Sequence, residues 1–132
     1  KATAMVPPEN TIPRNLEHYR FGPADAEKAG REFKNPHAKK FDAEMMNLGK
    51  TKYEIYCGLC HGMGGAGDGQ IAEKMLVKPP SLLSDKVKTM KDGQIYHIIR
   101  MGQGVMGSYA NQITDPKARW AVVNYVRVLQ KK

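Results

Sequence analysis

Chemistry in this sequence is concentrated in a few positions. Cys57 and Cys60 are the only cysteines, they stand two residues apart, and His61 follows at once in YCGLCHG. A disulfide between them would close a tiny loop and restrain little of the unfolded chain. That leaves redox chemistry, metal binding or covalent attachment. A dithiol redox centre of the thioredoxin kind expects a βαβ setting, and no stretch here has a convincing strand pattern. Structural zinc takes four ligands, usually with a second Cys or His pair at close spacing. His18, His37 and His97 are scattered singly and do not supply one. C-x-x-C-H reads best as a c-type haem attachment site: each thiol adds to one vinyl group, and His61 supplies the proximal ligand to the iron.

One coordination position would then remain, with Met, His, Lys or nothing as the choices. Most of the eight methionines must be core filler. Met45 and Met46 lie on the helix leading into the motif, Met63 is too close to His61, and Met75, Met90 and Met101 lie in or beside helices. Met106 differs, because it sits in GQGVMGSYA, an irregular loop whose glycines allow close approach to a macrocycle. His97 competes, but it lies mid-helix beside an apolar face, where a histidine is ordinarily packed.

Three helices should position these groups. Asp42 can cap AEMMNLGKTKYEIYC, whose Met45, Leu48, Tyr53 and Tyr56 recur near helical spacing and which runs into the cysteines. GMGGAGDG follows as a tight loop, then a short helix over 70–76 that Pro79-Pro80 stops. Asp92 can cap a second helix with Ile95, Ile98 and Ile99 on one face and Gly102 at its end. Thr114 or Asp115 caps the last, with Pro116 in its first turn and Trp120, Val122, Val123, Val126 and Leu129 as its stripe. The core is expected to be all-α. Residues 1–44 differ. Five of the eight prolines fall here, and the stretch reads as an extended arm with a helical turn near 24–33. Its Phe21, Phe33 and Phe41 are all the phenylalanines of the chain, which favours an arm that packs.

Composition bounds the partners. The net charge of +8 favours acidic ones, yet the lysines are scattered and no basic run of five occurs, which argues against nucleic acid. The apolar runs are too short to span a bilayer. The chain starts at Lys1 and shows no charged start followed by an apolar stretch, so a processed or trimmed form is expected.

With these residues in view, the segment from about 45 to 132 resembles the class I cytochromes c. Gly49 and Tyr53 lie eight and four residues before Cys57, where that family places a glycine and an aromatic on its first helix. Tyr125 in RWAVVNYVRVL matches the aromatic of the C-terminal helix that the first one crosses. CGLCHG matches the attachment site, GAGDG the glycine-rich loop after it, and PPSL at 79–82 the P-x-L motif. The resemblance implies a class I fold of three main helices around one haem c, bound covalently through Cys57 and Cys60. It implies that Pro80 gives its carbonyl to the His61 ring N–H, fixing the tautomer. VMGSYA resembles the ligand loop, which makes Met106 the sixth ligand, with Gly107 standing where proline is common. Leu59, Leu82, Ile95, Ile99 and Tyr109 are candidates for the pocket wall. Arg100 could meet a propionate, although a solvated arginine at a helix end is the plainer reading.

The resemblance implies a one-electron carrier of a bacterial respiratory chain, not an enzyme, placed between a quinol-oxidising complex and a terminal oxidase. Its partners would be redox proteins with acidic docking surfaces. It would work in the periplasm or at the outer face of the cytoplasmic membrane, with membrane association through a segment outside this chain. MVPPENTIPR is similar to the N-terminal segments of monohaem cytochromes associated with bacterial alternative complex III. That gives a second reading, a haem-bearing subunit of such a membrane complex. A haem sensor or peroxidase would instead need a displaceable sixth ligand.

Overall fold

A computed structural model of the chain describes residues 19–38 and 42–132. MVPPENTIPR, His18 and Phe41 lie outside the described residues. The described residues form six α-helices in order: α1 (Ala26–Glu32), α2 (Ala43–Tyr56), α3 (Gly58–His61), α4 (Asp85–Thr89), α5 (Asp92–Met101) and α6 (Pro116–Gln130). Among the described residues there is no strand, only one isolated antiparallel bridge between Gln103 and Met106. The three long helices α2, α5 and α6 carry the core, as the class I resemblance implies.

Local chemistry starts these helices. The Asp42 carboxylate accepts from Met45 N at 2.8 Å, which satisfies one of the free donors of the first turn of α2. Asp115 does the same for α6, accepting from Lys117 N, and Pro116 takes the first helical position, where its missing N–H costs nothing. Buried Met45 and Tyr53 from α2, Ile95, Tyr96 and Ile99 from α5, and Trp120, Val122, Val123, Val126 and Leu129 from α6 form one apolar cluster. The close crossing of α2 and α6 needs Gly49. A Cβ there would stand 2.2 Å from the Ala121 carbonyl oxygen, so no side chain fits between the two backbones. Tyr53 and Tyr125 flank the crossing with ring centroids 5.4 Å apart.

The segment before α2 lies on the other side of α5. Phe21 is buried, and Tyr19 and Phe33 pack against the same cluster. Phe33 stands 5.2 Å from Tyr96 and 5.3 Å from Trp120, so the aromatics of the arm and the core form one continuous group. Asn35 adds polar ties, donating to Asp92 at 3.0 Å and to Asn124 at 2.8 Å.

Three local expectations need correction. Asp92 does not cap α5. Lys91 holds that position without a side-chain cap, while the Asp92 carboxylate accepts from Arg127 Nε at 2.8 Å and from Asn35. The expected helix over 70–76 shrinks to one 3-10 turn, Ala72–Lys74. Gly69 N and Ile71 N are drawn back onto the carbonyls of Cys60 and Leu59, and Leu76 and Val77 stay exposed with no face to bury. The short α4, capped by Ser84, was not foreseen. Arg100 is not simply solvated, because its guanidinium lies 4.6 Å over the Tyr19 ring.

Candidate haem site

The last turn of α2 passes directly into α3. Cys57 N donates to Tyr53 O at 2.8 Å and His61 N to Cys57 O at 2.9 Å, so both thiols and the imidazole ride on one helical turn. Both cysteines are free thiols. Burial pushes the Cys57 thiol up to about 12, with the neighbouring Cys60 adding to the shift. Burial also lowers the pKa of His61, and its bond to Pro80 opposes this only in part. The ring is therefore neutral at ordinary pH.

A neutral imidazole has one N–H to give. Nδ1 of His61 lies 3.2 Å from the Pro80 carbonyl oxygen, which can only accept. The proton thus sits on Nδ1 and the lone pair on Nε2, the form a metal takes.

The glycine-rich loop brings Pro80 into place. Gly67 N donates to His61 O at 2.7 Å, and Leu82 N donates to Gly65 O at 2.7 Å, so the loop is fastened to α3 at one end and to the proline segment at the other. Gly62, Gly65 and Gly67 all take positive φ along this path. Beneath it, the buried Tyr53 hydroxyl donates to Gly62 O at 2.7 Å.

The segment carrying Met106 begins where α5 stops. Gly102, at φ +79°, turns the chain, and a Cβ there would meet the Met106 carbonyl oxygen at 2.7 Å. Gln103 and Met106 then exchange backbone bonds of 2.9 and 3.0 Å, closing a tight hairpin. Ser108 Oγ donates to Arg100 O, and Tyr109 N to Ile99 O. Met106 itself is half-buried. Burial raises the Tyr109 phenol, and the nearness of Cys57 and then Cys60 raises it further, so this loop faces the two thiols. The Tyr109 ring stands 6.3 Å from that of Tyr56.

The structure therefore brings Cys57, Cys60, His61, Pro80 and Tyr109 into one neighbourhood. Ile95 and Ile99 are buried in the core, Leu82 packs on its edge, and Leu59 is half-exposed. His97 is fully buried elsewhere, with Nδ1 2.7 Å from Tyr19 Oη and Nε2 3.5 Å from Pro23 O. The arm thus occupies it. Among the described residues no group of three or more His, Cys, Asp or Glu could hold a metal ion, which leaves the zinc reading without ligands. The sequence reading missed the hydroxyl of Tyr53 as a support of the loop, and it missed Arg119, buried at 2% exposure behind residues 110–114. No local signal marks either role.

These residues fit a haem. Two thiols on one turn match the attachment chemistry, and an imidazole locked by its far nitrogen matches an axial ligand.

Known proteins agree. The family model described as cytochrome C oxidase, cbb3-type, subunit III matches residues 44–126. No curated protein matches the sequence. Among solved structures, the chain is similar to the reducing HAO-like protein complex Kustc0457/Kustc0458 of Kuenenia stuttgartiensis, with TM-score 0.58 and 24% identity over 70% of this chain. It spans 46% of that protein, less than half its length. It is also similar to cytochrome cL of the marine methylotroph Methylophaga aminisulfidivorans, with TM-score 0.55 and 20% identity over 80% of this chain and 67% of the other. At such identities the two structures speak for the fold alone. The family match takes in most of the helical core together with both cysteines, His61 and Met106, and on that ground the chain belongs to the cytochrome c oxidase, cbb3-type, subunit III family and is a monohaem c-type cytochrome.

Proposed function

We propose that this chain is a one-electron carrier of a bacterial respiratory chain, passing electrons from a quinol-oxidising complex to a terminal oxidase. Cys57 and Cys60 would hold a single haem c through thioethers, and His61 and Met106 would supply the ligands to its iron. The group supplies an iron that gains and loses one electron. The observation that carries the reading is the His61–Pro80 bond, which fixes the imidazole tautomer and leaves Nε2 free. Pro80 holds that ring in one orientation, so His61 would offer Nε2 to the group in a fixed direction. The Met106 thioether would favour the reduced state and raise the potential. With His61 and Met106 both holding the group, small molecules would find no open position, which would speak for a carrier rather than an enzyme.

The surface beside the thiols supports docking. Ile71 N donates to Leu59 O at 3.2 Å, so these two half-exposed apolar residues are neighbours next to Cys60, and exposed Lys74 and Lys78 follow in the chain. A small apolar contact with lysines close by suits a redox partner of acidic surface, bound briefly. Cytochromes of this kind gain haem after export, so the proposed place of work is the bacterial periplasm or the outer face of the cytoplasmic membrane. No helix among the described residues is long and apolar enough to cross a membrane, and a membrane anchor would need another segment.

A second reading has its own support. The matched family is described as an oxidase subunit. On this reading the chain is a haem-bearing subunit of a membrane respiratory complex, and the haem relays electrons inside it.

The test is the optical spectrum of the ferric protein. The carrier reading expects the weak near-infrared band of methionine sulfur bound to haem iron, lost in Met106→Ala. A native protein without the band overturns ligation by Met106 and moves the sensor and peroxidase readings ahead. Co-purification of the tagged chain with membrane subunits would favour the second reading over a free carrier.

A further inference from the structure

Arg119 is buried in the first turn of α6, at 2% exposure. That is a costly place for a cation. Burial strips its water, and the positive end of the helix dipole repels it. The guanidinium is nevertheless well held, and its partners lie close together in the chain. Nε donates to Ile113 O at 2.8 Å, and Nη2 donates to Ala110 O at 3.2 Å and to Thr114 O at 3.3 Å. Nη1 donates to Tyr96 Oη at 3.3 Å, tying the same fork to α5. Three carbonyls within five residues thus converge on one planar group.

Those five residues end the loop that carries Met106. Ile113 N donates to Tyr109 O at 2.8 Å, and Tyr109 N donates to Ile99 O at 2.9 Å. Met106 lies three residues before Tyr109. A run of hydrogen bonds therefore leads from the guanidinium through Ile113 and Tyr109 to Ile99 on α5, and the chain itself joins Tyr109 to the Met106 hairpin. A lysine has the charge but no rigid fork, and it cannot reach three carbonyls and a hydroxyl in fixed directions.

Building on the proposed ligation by Met106, we infer that Arg119 is a positioning residue: it clamps residues 110–114 and so keeps the Met106 loop closed over the metal. In this role it acts through the backbone carbonyls of the loop. The loop would stay shut in both oxidation states because its far end is pinned to the body of the protein by a group that cannot easily leave.

The test compares Arg119→Lys with Asn35→Ala in the haem-loaded protein. Asn35 ties the arm to Asp92 and Asn124 rather than to residues 110–114. The readout is the pH at which the near-infrared band disappears as alkaline ligands compete for the metal, taken together with the melting temperature of each variant. Exchange of the Tyr109 and Ile113 amides gives a second readout that needs no ligand band. The expected result is that Arg119→Lys opens the loop about tenfold more readily, the scale of a lost charged hydrogen bond. The band then vanishes at lower pH and both amides exchange faster, while Asn35→Ala changes neither even where it melts as early. Equal behaviour of the two variants overturns the inference and leaves Arg119 a general strut. A wild-type protein with no band at any pH overturns Met106 ligation itself, and the inference falls with it, so the two failures are told apart.

Discussion

Tyr19 Oη lies 2.7 Å from Nδ1 of His97, joining residues 78 apart in the chain. Through this contact the stretch before α1 is fastened to the middle of α5, and His97 is committed to the arm. Tyr19→Phe keeps the ring contacts and removes only the hydroxyl. It should cost about 1 kcal/mol and lower the melting temperature by about 4 °C. An unchanged melt would show that the aromatic packing alone holds the arm.

Gly49→Ala sets two effects against each other. Alanine is the better helix former by about 1 kcal/mol. Its Cβ, however, would stand 2.2 Å from the Ala121 carbonyl oxygen, a backbone atom that cannot rotate away. Overpacking of this sort costs about 1–3 kcal/mol, and the clash should win. Chemical denaturation should show a lower midpoint. A rise would mean that α2 and α6 separate without penalty.

Tyr53 predicts how stability responds to alkali. Its phenol is buried and donates to Gly62 O, and burial above all raises its pKa well beyond the ordinary 10.0, with Cys57, Tyr125 and Asp68 adding to the shift. The unfolded chain therefore loses this proton first as pH rises. The contribution is complete below pH 10 and falls away above it. Tyr53→Phe should cost about 1 kcal/mol at neutral pH and flatten part of the decline above pH 10. Denaturant midpoints at pH 7 and pH 11 measure both. An equally steep decline in the variant would assign it to other groups.

Electron transfer to an acidic partner should slow as salt rises, because the charge of +8 speeds encounter. Reversing Lys74 and Lys78 together should cut the low-salt rate about tenfold and leave the high-salt rate nearly unchanged. Stopped-flow mixing at two ionic strengths reads both values. A flat salt response in the parent protein would remove charge from the docking step.

What could be read from the sequence depended on whether the cause was local. The turn that carries Cys57, Cys60 and His61 was legible because its residues fit within five positions, and α2 and α6 because Asp42, Asp115 and Pro116 act on the turns they begin. Asp92 looked equally local and was not. Its carboxylate is taken by Arg127, 35 residues on, and by Asn35, 57 residues back. Arg119 was hidden for a related reason, since its nearest acceptors lie in a loop whose course no periodicity records. The turn at Ala72–Lys74 stayed short because its neighbours are pulled onto α3, a competition between backbone donors that composition does not show.

The crossing at Gly49 also governs when the core can form. The helix that leads into both thiols and the helix that crosses it stand near opposite ends of the described core, with Ala121 arriving 72 residues after Gly49. No fragment ending before α6 can bury Tyr53 or close the crossing. During synthesis α2 therefore emerges long before the helix that crosses it, and Tyr53 stays unburied until α6 docks.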